Sequence, residues 1–379
     1  MDNEYIINSG KLSDSALRRK NELENDPSSR TDHMKYMEGQ EQINSDILKK
    51  VLAQMDSFDP DSYTGADVVR ALQKNSIGIE DFKALLSPAA EPFLEQMAEK
   101  ARIETRKHFG NTVYLFTPLY IANYCENYCV YCGFNCYNDI RRMKLTMEQI
   151  EHEMKIIADS GMEEILILTG ESRSKSDVKY IGEACKLARK YFRMVGIEIY
   201  PVNVEDYRYL HECGVDYVTV FQETYDKARY EYLHPTGPKH NYAYHTEAMD
   251  RAMQGGIDDV GIGVLFGLSD YRYDFIGLLM HAKHLEDTFG VGPHTISVPR
   301  IRPADDVDLS EYPNAIDDAL FRKLVAVLRI AVPYTGLIIS TRESEKSRAD
   351  VLKVGVSQIS GGSSTSVGGY VEREEDNSA

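Results

Sequence analysis

The stretch YIANYCENYCVYCGFNCYN, residues 120–138, contains three closely spaced cysteines, Cys125, Cys129 and Cys132, in the pattern C-x3-C-x2-C. Short spacings of this kind can direct three thiolates at one cubane iron–sulfur cluster. Three protein ligands leave the fourth iron open, and an open metal position is typical of a catalytic site. The loop follows the apolar run 113–116, so the sequence predicts an enzyme whose cluster is bound just after a β-strand.

Short β-branched runs alternate with amphipathic segments from residue 112 onward. Eight such runs predict a parallel α/β fold, most simply a closed (β/α)8 TIM-type barrel. Functional residues of such a barrel collect at the carboxyl ends of the strands, where the cysteine loop falls. The predicted strands are 113–117, 165–169, 197–202, 217–222, 260–266, 295–299, 337–341 and 357–360, and the predicted helices between them are 147–159, 178–191, 242–253, 275–289 and 317–330.

The residues before the barrel have a different character. Residues 1–40 are polar and charged, which predicts poor order at the start of the chain. Residues 43–108 have apolar side chains at helical spacing, and Thr64 with Asp67 predicts the start of a short helix over 68–72. We expect a helical N-terminal extension over 1–110, the barrel over 111–371 and an acidic tail over 372–379. The glycines expected to end helices are Gly161, Gly196, Gly214, Gly256 and Gly290.

Composition excludes several classes of protein. The formal net charge of −17 disfavours nucleic acid as a partner, because binding phosphates requires a basic surface. No apolar run is long enough to cross a membrane, and the N-terminus has no apolar signal-peptide core. We therefore expect a cytoplasmic protein without disulfides.

The cysteine loop has the form C-x3-C-x-aromatic-C, with Tyr131 as the aromatic residue, and it resembles the signature loop of the radical S-adenosylmethionine (SAM) enzymes. In that family SAM chelates the open iron, and an electron from the cluster splits SAM into methionine and a 5′-deoxyadenosyl radical. The resemblance implies a [4Fe-4S] cluster and SAM as cofactors, with Tyr131 among the cofactor contacts. The alternative is a zinc-binding interaction protein in which Cys136 supplies a fourth thiolate.

The predicted strand ends at LTGES and FQETY carry further candidates for cofactor binding. Gly170 lets the backbone approach a ligand closely. Gly170 and Glu171 resemble the family's G-E element, which holds the amino group of SAM, although Glu171 can also be a turn carboxylate that caps a helix. Gln222 and Glu223 point to opposite faces of their strand, so one of them is expected to reach SAM or substrate, with a structural salt bridge as the alternative.

Arginines at two later strand ends are candidates for binding carboxylates, because the guanidinium fork matches both oxygens. Arg300, with Arg302 on the same face, is predicted to contact the cofactor, or else to lie on the surface. Ser340 and Arg342 share a face in IISTRE and can clamp an amino-acid carboxylate; the alternative is a helix cap beside a surface arginine. The segment LHPTGPKHNYAYH contains three histidines that either bind a second metal or form structural hydrogen bonds, namely His234, His240 and His245.

The segments LYIANYCENYCVYCGF, LILTGES, VFQETY, PRIRP and STRE resemble, in this order, two related families of tyrosine lyases. These are 2-iminoacetate synthase (ThiH), which serves thiamin thiazole synthesis, and HydG, which matures [FeFe]-hydrogenase. Residues 141–225 resemble ThiH more, and residues 234–304 resemble HydG more.

Both resemblances imply that the deoxyadenosyl radical abstracts hydrogen from the amino group of L-tyrosine. The Cα–Cβ bond then breaks, giving 2-iminoacetate (dehydroglycine) and p-cresol beside 5′-deoxyadenosine and methionine. Ser340 and Arg342 fall where these families bind the tyrosine carboxylate. The implied partners are L-tyrosine, a reductant such as flavodoxin or ferredoxin, and a thiazole synthase protein.

The two families differ in what happens to dehydroglycine. HydG converts it to carbon monoxide and cyanide at a second cluster in a C-terminal domain. No cysteine follows Cys213 in this chain, so the thiazole pathway is the preferred interpretation, with a maturase lacking that domain as the alternative.

Overall fold

The computed structural model describes residues 6–7, 11–301 and 312–378. Two short strands near the N-terminus, β1 (Ile6–Ile7) and β2 (Lys11–Leu12), pair antiparallel. The centre of the molecule is a closed barrel of eight parallel strands. In chain order these strands are β3 (Tyr114–Ala122), β4 (Glu164–Thr169), β5 (Met194–Glu198), β6 (Tyr217–Thr219), β7 (Asp259–Gly263), β8 (Thr295–Ser297), β9 (Gly336–Ile339) and β10 (Gln358–Ser360).

Each strand pairs with its neighbour in sequence, and β10 pairs with β3 to close the barrel. The predicted (β/α)8 fold is confirmed, and each of the eight predicted strands overlaps an observed one, although β5 begins three residues earlier than predicted and β3 ends five residues later. The observed strands are mostly shorter at their carboxyl ends than predicted, because the chain leaves the sheet earlier to form the loops of the barrel mouth. The register between β3 and β4 shifts after Tyr120, directly before the cysteine loop.

Helices surround the barrel and precede it. The first five helices are α1 (Asp14–Asn25), α2 (Ile47–Asp56), α3 (Gly65–Gln73), α4 (Ile79–Leu86) and α5 (Leu94–Phe109). Those that follow are α6 (Met147–Asp159), α7 (Val178–Ala188), α8 (Val204–Glu212), α9 (Lys227–Leu233), α10 (Tyr242–Thr246), α11 (Ala248–Gln254), α12 (Tyr271–Phe289), α13 (Asp318–Ala331), α14 (Glu345–Leu352) and α15 (Gly369–Ser378). Short 3-10 turns occupy Pro27–Ser29, Pro60–Ser62, Pro88–Phe93 and Pro238–His240.

Capping residues explain where several helices begin and end. Thr146 and Gln149 form a capping box at the start of α6, and Thr64 with Asp67 form another at the start of α3, as predicted. Of the glycines expected to end helices, Gly196 is the exception, since it lies inside β5. A Cβ atom there would lie 2.0 Å from the ring of Tyr217, so this glycine makes room for an aromatic side chain.

The N-terminal region is more ordered than its polarity predicted. α1 packs its buried residues Ala16 and Leu23 against Tyr128, Cys136 and Tyr137 of the cysteine loop. The prediction of poor order was wrong for α1. The contact with the cysteine loop buries apolar surface of this helix, and the polar sequence of the segment does not indicate that contact. The division of the chain at residues 110 and 371 remains a prediction.

The C-terminal helix α15 runs through the predicted start of the acidic tail. Glu153 of α6 lies against its N-terminus, where the two carboxylate oxygens accept the amide protons of Tyr370 and Val371 at 3.0 Å each. A carboxylate at this end of a helix satisfies unpaired N–H groups and opposes the helix dipole. Among the described residues, no helix combines the length and the apolar character needed to span a bilayer.

Candidate functional site

The cysteine loop leaves the carboxyl end of β3, as predicted. Cys129 is 5% exposed, and Cys125 and Cys132 are partly exposed. Burial raises the pKa of all three thiols, to about 11 for Cys125, and the proximity of Cys132 raises the pKa of both Cys125 and Cys129 further. The three sulfur atoms therefore face a common region, in which positive charge is needed to hold them as thiolates.

The end of α9 and the segment between α9 and α10 lie against the cysteine loop. The amides of Tyr128 and Val130 donate to the carbonyls of Thr236 and Leu233, each at 3.0 Å. The Asn127 side chain accepts the Lys239 amide at 2.9 Å. These bonds hold the cysteine loop against a segment more than 100 residues further along the chain.

Glu171 lies at the end of β4 and is 6% exposed. Its Oε2 atom accepts a hydrogen bond of 2.7 Å from Asn127, while its Oε1 atom is 4.0 Å from Arg173. Burial raises the pKa of Glu171 to about 7 despite the opposing effect of the Asn127 bond. The carboxyl group thus supports the cysteine loop through one oxygen and leaves the other for a cationic ligand.

Gly170, next to Glu171, brings two backbone segments into contact. A Cβ atom at this position would lie 2.3 Å from the carbonyl oxygen of Tyr124. The close approach that was predicted for a ligand is therefore made by the cysteine loop itself.

Tyr131, the aromatic residue of the motif, is fixed by a histidine. Its hydroxyl lies 2.8 Å from Nε2 of His234, and Nδ1 of His234 lies 2.8 Å from the carbonyl of Tyr230. Because Nδ1 must donate to that carbonyl, Nε2 is the acceptor for the Tyr131 hydroxyl. Burial lowers the pKa of His234 well below its ordinary value, which keeps this neutral tautomer.

The three histidines considered as a second metal site are all engaged by protein groups. His240 contacts the carbonyl of Thr31 through Nε2 at 2.6 Å, and His245 contacts Oε1 of Gln222 through Nδ1 at 3.2 Å. His234 contacts the Tyr131 hydroxyl and the Tyr230 carbonyl. The structure supports the predicted alternative, in which these histidines make structural hydrogen bonds.

Gln222 and Glu223 follow β6, and their side chains have different surroundings. Gln222 is 2% exposed, and its Nε2 atom has no hydrogen-bond partner among the described residues. Glu223 adopts a left-handed backbone with φ of 67° and forms an ion pair of 2.8 Å with Lys239. Positive φ is uncommon outside glycine, and it turns this carboxylate toward Lys239 in a way that strand alternation did not predict.

Lys239 is a site residue that the sequence analysis missed. Burial lowers its pKa, but Glu223, Cys129 and Cys132 raise it by more, so the ammonium group stays charged beside the thiols. Lys239 lies in the short 3-10 turn Pro238–His240, five residues after His234, so it gave no periodic signal in the sequence. Such a cation stabilises thiolates and leaves donors for an anionic ligand.

Arg300 was predicted to bind the cofactor, and the structure gives it another role. Its guanidinium donates to Glu343 at 2.9 Å, to Asp318 at 2.8 Å and to Ser347 at 3.2 Å, and it stacks over Phe321. These partners belong to α13, α14 and the turn after β9, and they engage the guanidinium donors of Arg300. We therefore leave Arg300 out of the proposed site; Arg302 lies outside the described residues.

Ser340 and Arg342 follow β9 in a turn rather than in the strand, because the Glu343 amide donates to the Ser340 carbonyl at 3.1 Å. Ser340 Oγ accepts the Arg342 amide at 3.2 Å and keeps its own proton to donate. The Arg342 guanidinium makes no hydrogen bond or ion pair with the described residues.

The charge of Arg342 reaches the barrel mouth. It lowers the pKa of Tyr120, Cys132 and Glu198, although burial raises each of these values overall. Glu198, at the end of β5, was also missed by the sequence analysis. Burial and the nearby Glu223 carboxylate raise its pKa to about 7. The strand-end rule alone would have found it.

The donor set fits a cubane cluster with SAM beside it. Three thiols share one region, and two buried polar atoms have no partner among the described residues, namely Thr169 Oγ1 at the end of β4 and Gln222 Nε2 after β6. Within residues 6–7, 11–301 and 312–378, no three His, Cys, Asp or Glu side chains are arranged to hold a single metal ion. Cys136, the fourth ligand of the zinc alternative, is packed with Leu23 and Tyr128 in an apolar cluster.

Comparison with known proteins gives two family matches. The radical SAM superfamily matches residues 119–282, and the Biotin and Thiamin Synthesis associated domain matches residues 297–377. The first match contains the cysteine loop, Glu171 and Lys239, and the second contains Ser340 and Arg342.

Similar proteins cover most of the chain. The 2-iminoacetate synthase of Escherichia coli (strain K12) is 36% identical over 310 residues, which are 82% of this chain and 82% of that enzyme. The crystal structure of HydG, a maturase of the [FeFe]-hydrogenase, is 42% identical with a TM-score of 0.84, covering 87% of this chain and 75% of HydG. The crystal structure of methylornithine synthase (PylB) is 23% identical with a TM-score of 0.66, and the match covers 78% of this chain and 85% of PylB. The two proteins share the fold.

Proposed function

The chain belongs to the radical SAM superfamily, in the group that includes 2-iminoacetate synthase and HydG, and we propose that it cleaves the Cα–Cβ bond of L-tyrosine to 2-iminoacetate and p-cresol. A [4Fe-4S] cluster and SAM are its cofactors, and when bound they supply the electron and the 5′-deoxyadenosyl radical that begin the reaction. The observation that carries the proposal is the presence at one barrel mouth of three thiols and of Arg342, whose guanidinium has no partner among the described residues.

The cysteine loop provides the ligands of the cluster. Burial raises the pKa of Cys125, Cys129 and Cys132, so the thiols are held mostly protonated until iron binds. Bound iron supplies the positive charge that stabilises the thiolates. Lys239 adds a fixed positive charge beside Cys129 and Cys132.

Four further groups are proposed to bind SAM. The open Oε1 atom of Glu171 accepts from the SAM ammonium group. Lys239 uses one donor for Glu223 and has others for the SAM carboxylate. Gln222 offers its unpaired Nε2, and the ring of Tyr131, oriented by His234, provides an apolar face.

Ser340 and Arg342 are proposed to bind the carboxylate of L-tyrosine. The Arg342 guanidinium is not engaged by the described residues, and Ser340 supplies a neutral donor in the same turn. The charge of Arg342 affects the pKa of Cys132, which supports a binding site for the amino acid near the cluster. We propose that the bound substrate and cofactor exclude water from the reacting radical.

The proposal is tested with protein reconstituted without oxygen and given SAM, dithionite and L-tyrosine. We expect p-cresol and 5′-deoxyadenosine in equal amounts from the unmodified chain. Cys129→Ala removes a cluster ligand and should abolish both products, whereas Cys185→Ala, a buried cysteine of α7, should leave both unchanged. Formation of 5′-deoxyadenosine without p-cresol by the fully loaded protein would show that tyrosine is not the substrate.

The pathway we propose is thiamin thiazole synthesis, in the cytoplasm, with flavodoxin or ferredoxin as reductant and a thiazole synthase protein as partner. Support comes from the 36% identity to the E. coli enzyme over 82% of this chain. The test is growth of an E. coli strain that lacks its 2-iminoacetate synthase, on medium without thiamin. Failure of an expressed, cluster-loaded chain to restore growth would count against this pathway.

Maturation of [FeFe]-hydrogenase is the second candidate, and the 42% identity to HydG over 87% of this chain favours it. Both candidates release p-cresol, and a maturase without the second cluster also leaves 2-iminoacetate, which hydrolyses to glyoxylate. Restored growth of the thiamin-requiring strain therefore supports the thiazole pathway. Carbon monoxide or cyanide from the tyrosine incubation would support the maturase.

A further inference from the structure

The cysteine loop is closed at its base by a short return of the chain. The Asn123 amide donates to the Met143 carbonyl at 3.1 Å, and the Asn123 side chain accepts from the Met143 amide at 2.7 Å and donates to the Arg141 carbonyl at 2.8 Å. Residues 123–143 therefore form a closed loop, and the residue at the centre of the return is Arg142.

The guanidinium of Arg142 is directed into this loop. Its two terminal nitrogens donate to four main-chain carbonyls, at 2.7 Å to Asn123, 2.8 Å to Phe134, 2.6 Å to Asn135 and 3.3 Å to Asn138. These carbonyls lie on both sides of the cysteines, so a single side chain ties the entry of the loop to its exit. The planar fork of arginine suits such a set of acceptors, whereas a lysine ammonium cannot span it.

The charge of Arg142 is neutralised by no carboxylate among the described residues. Burial lowers the pKa of this arginine, and the proximity of Cys125, Cys136 and Cys132 opposes that shift. The loop thus holds a partly buried cation, hydrogen-bonded to carbonyls on both sides of the cluster ligands.

We propose that Arg142 is a positioning residue for the cluster, which clamps the cysteine loop and raises the reduction potential of the bound cluster by its fixed positive charge. This inference rests on the cluster of the proposed function but not on its substrate. Reduction adds one negative charge to a centre that already has three thiolates. A nearby cation stabilises the reduced form more than the oxidised form, and the partial burial of Arg142 reduces the screening of that effect.

Three variants of the iron-loaded protein separate the clamp from the charge. Arg142→Gln removes the charge and most of the fork, whereas Arg142→Lys keeps the charge and loses the fork. Arg141→Gln is the matched control, because the Arg141 side chain is 75% exposed and faces Glu372. The measurements are the midpoint potential by spectroscopic titration and the rate of iron loss to a chelator, neither of which depends on tyrosine cleavage.

We expect Arg142→Gln to lower the ratio of reduced to oxidised cluster about tenfold when it is measured at the midpoint potential of the unmodified protein. For a one-electron couple, this corresponds to a midpoint potential lower by ~59 mV. Arg142→Lys should keep the midpoint and lose iron several-fold faster, and Arg141→Gln should match the unmodified protein in both. An unchanged midpoint in Arg142→Gln overturns the role of the charge, and an unchanged rate of iron loss in Arg142→Lys overturns the clamp.

If Arg142→Gln takes up no iron, Arg142→Lys decides the question alone. A retained midpoint with faster iron loss then supports the proposal, and a lowered midpoint overturns it. An unmodified chain that binds no cluster contradicts the proposed function itself, and this outcome is seen before any variant is compared.

Discussion

Glu171→Gln is expected to stabilise the metal-free protein at alkaline pH while leaving its stability at acidic pH nearly unchanged. The side chain is 6% exposed, and burial raises its pKa from an ordinary 4.5 to about 7. Because the folded-state pKa is the higher one, the stability that this group contributes is fully present below pH 4.5. It is lost as the pH rises through 7, when the buried carboxyl must ionise.

The size of the effect follows from the two pKa values. A tenfold change in proton affinity is worth about 1.4 kcal/mol, so ionising this carboxyl in the folded protein costs about 3 kcal/mol at pH 8.5. Glutamine is neutral at every pH and keeps an oxygen to accept the hydrogen bond from Asn127. We therefore expect Glu171→Gln to raise the free energy of unfolding by about 3 kcal/mol at pH 8.5.

The assay is urea unfolding of metal-free protein without oxygen, for both proteins at pH 5 and pH 8.5. Glu212→Gln on α8 serves as the control, because that side chain is exposed and should show no pH-dependent difference. Glu198 is present in all three proteins, so its own ionisation cancels. Equal differences between Glu171→Gln and the unmodified protein at the two pH values would refute the reasoning.

Three further substitutions test other parts of the structure. Gly170→Ala would place a Cβ atom 2.3 Å from the Tyr124 carbonyl oxygen, so we expect a loss of about 1–3 kcal/mol of unfolding free energy and less iron per chain by metal analysis. Ser340→Ala removes a neutral donor to the tyrosine carboxylate and should raise the KM for tyrosine roughly tenfold without lowering Tm; an unchanged KM would remove Ser340 from the site. Glu153→Ala leaves the first amides of α15 unpaired and should cost about 1–2 kcal/mol, with faster hydrogen exchange at Tyr370 and Val371 but unchanged exchange in β4.

Local patterns in the sequence predicted the framework of this protein. Alternating β-branched and amphipathic segments indicated eight strands and their order. Each strand can be recognised from its own residues and those of the helix that follows it. The spacing of Cys125, Cys129 and Cys132 indicated the cluster for the same reason, since the ligands lie within eight residues of one another. The resemblance to tyrosine lyases added the substrate that Ser340 and Arg342 are proposed to bind.

Other predictions failed or were incomplete because they depended on partners distant in sequence. Gly196 was expected to end a helix, yet it lies in β5 to accommodate Tyr217. Arg300 was expected to contact the cofactor, and its guanidinium is engaged by Glu343 and Asp318. Neither partner could be identified from the residues on either side of the position.

The amino-acid sequence by itself therefore determined the barrel, the cluster ligands and the class of chemistry, since each follows from spacings within one or two elements. Only the tertiary structure decided which charges surround the cluster. Lys239 approaches the thiols through its contact with Asn127, and Arg142 turns into the loop because four carbonyls converge on it. The physical reason is that burial and electrostatic environment depend on distances in space, and the folded chain brings together groups that its sequence keeps apart.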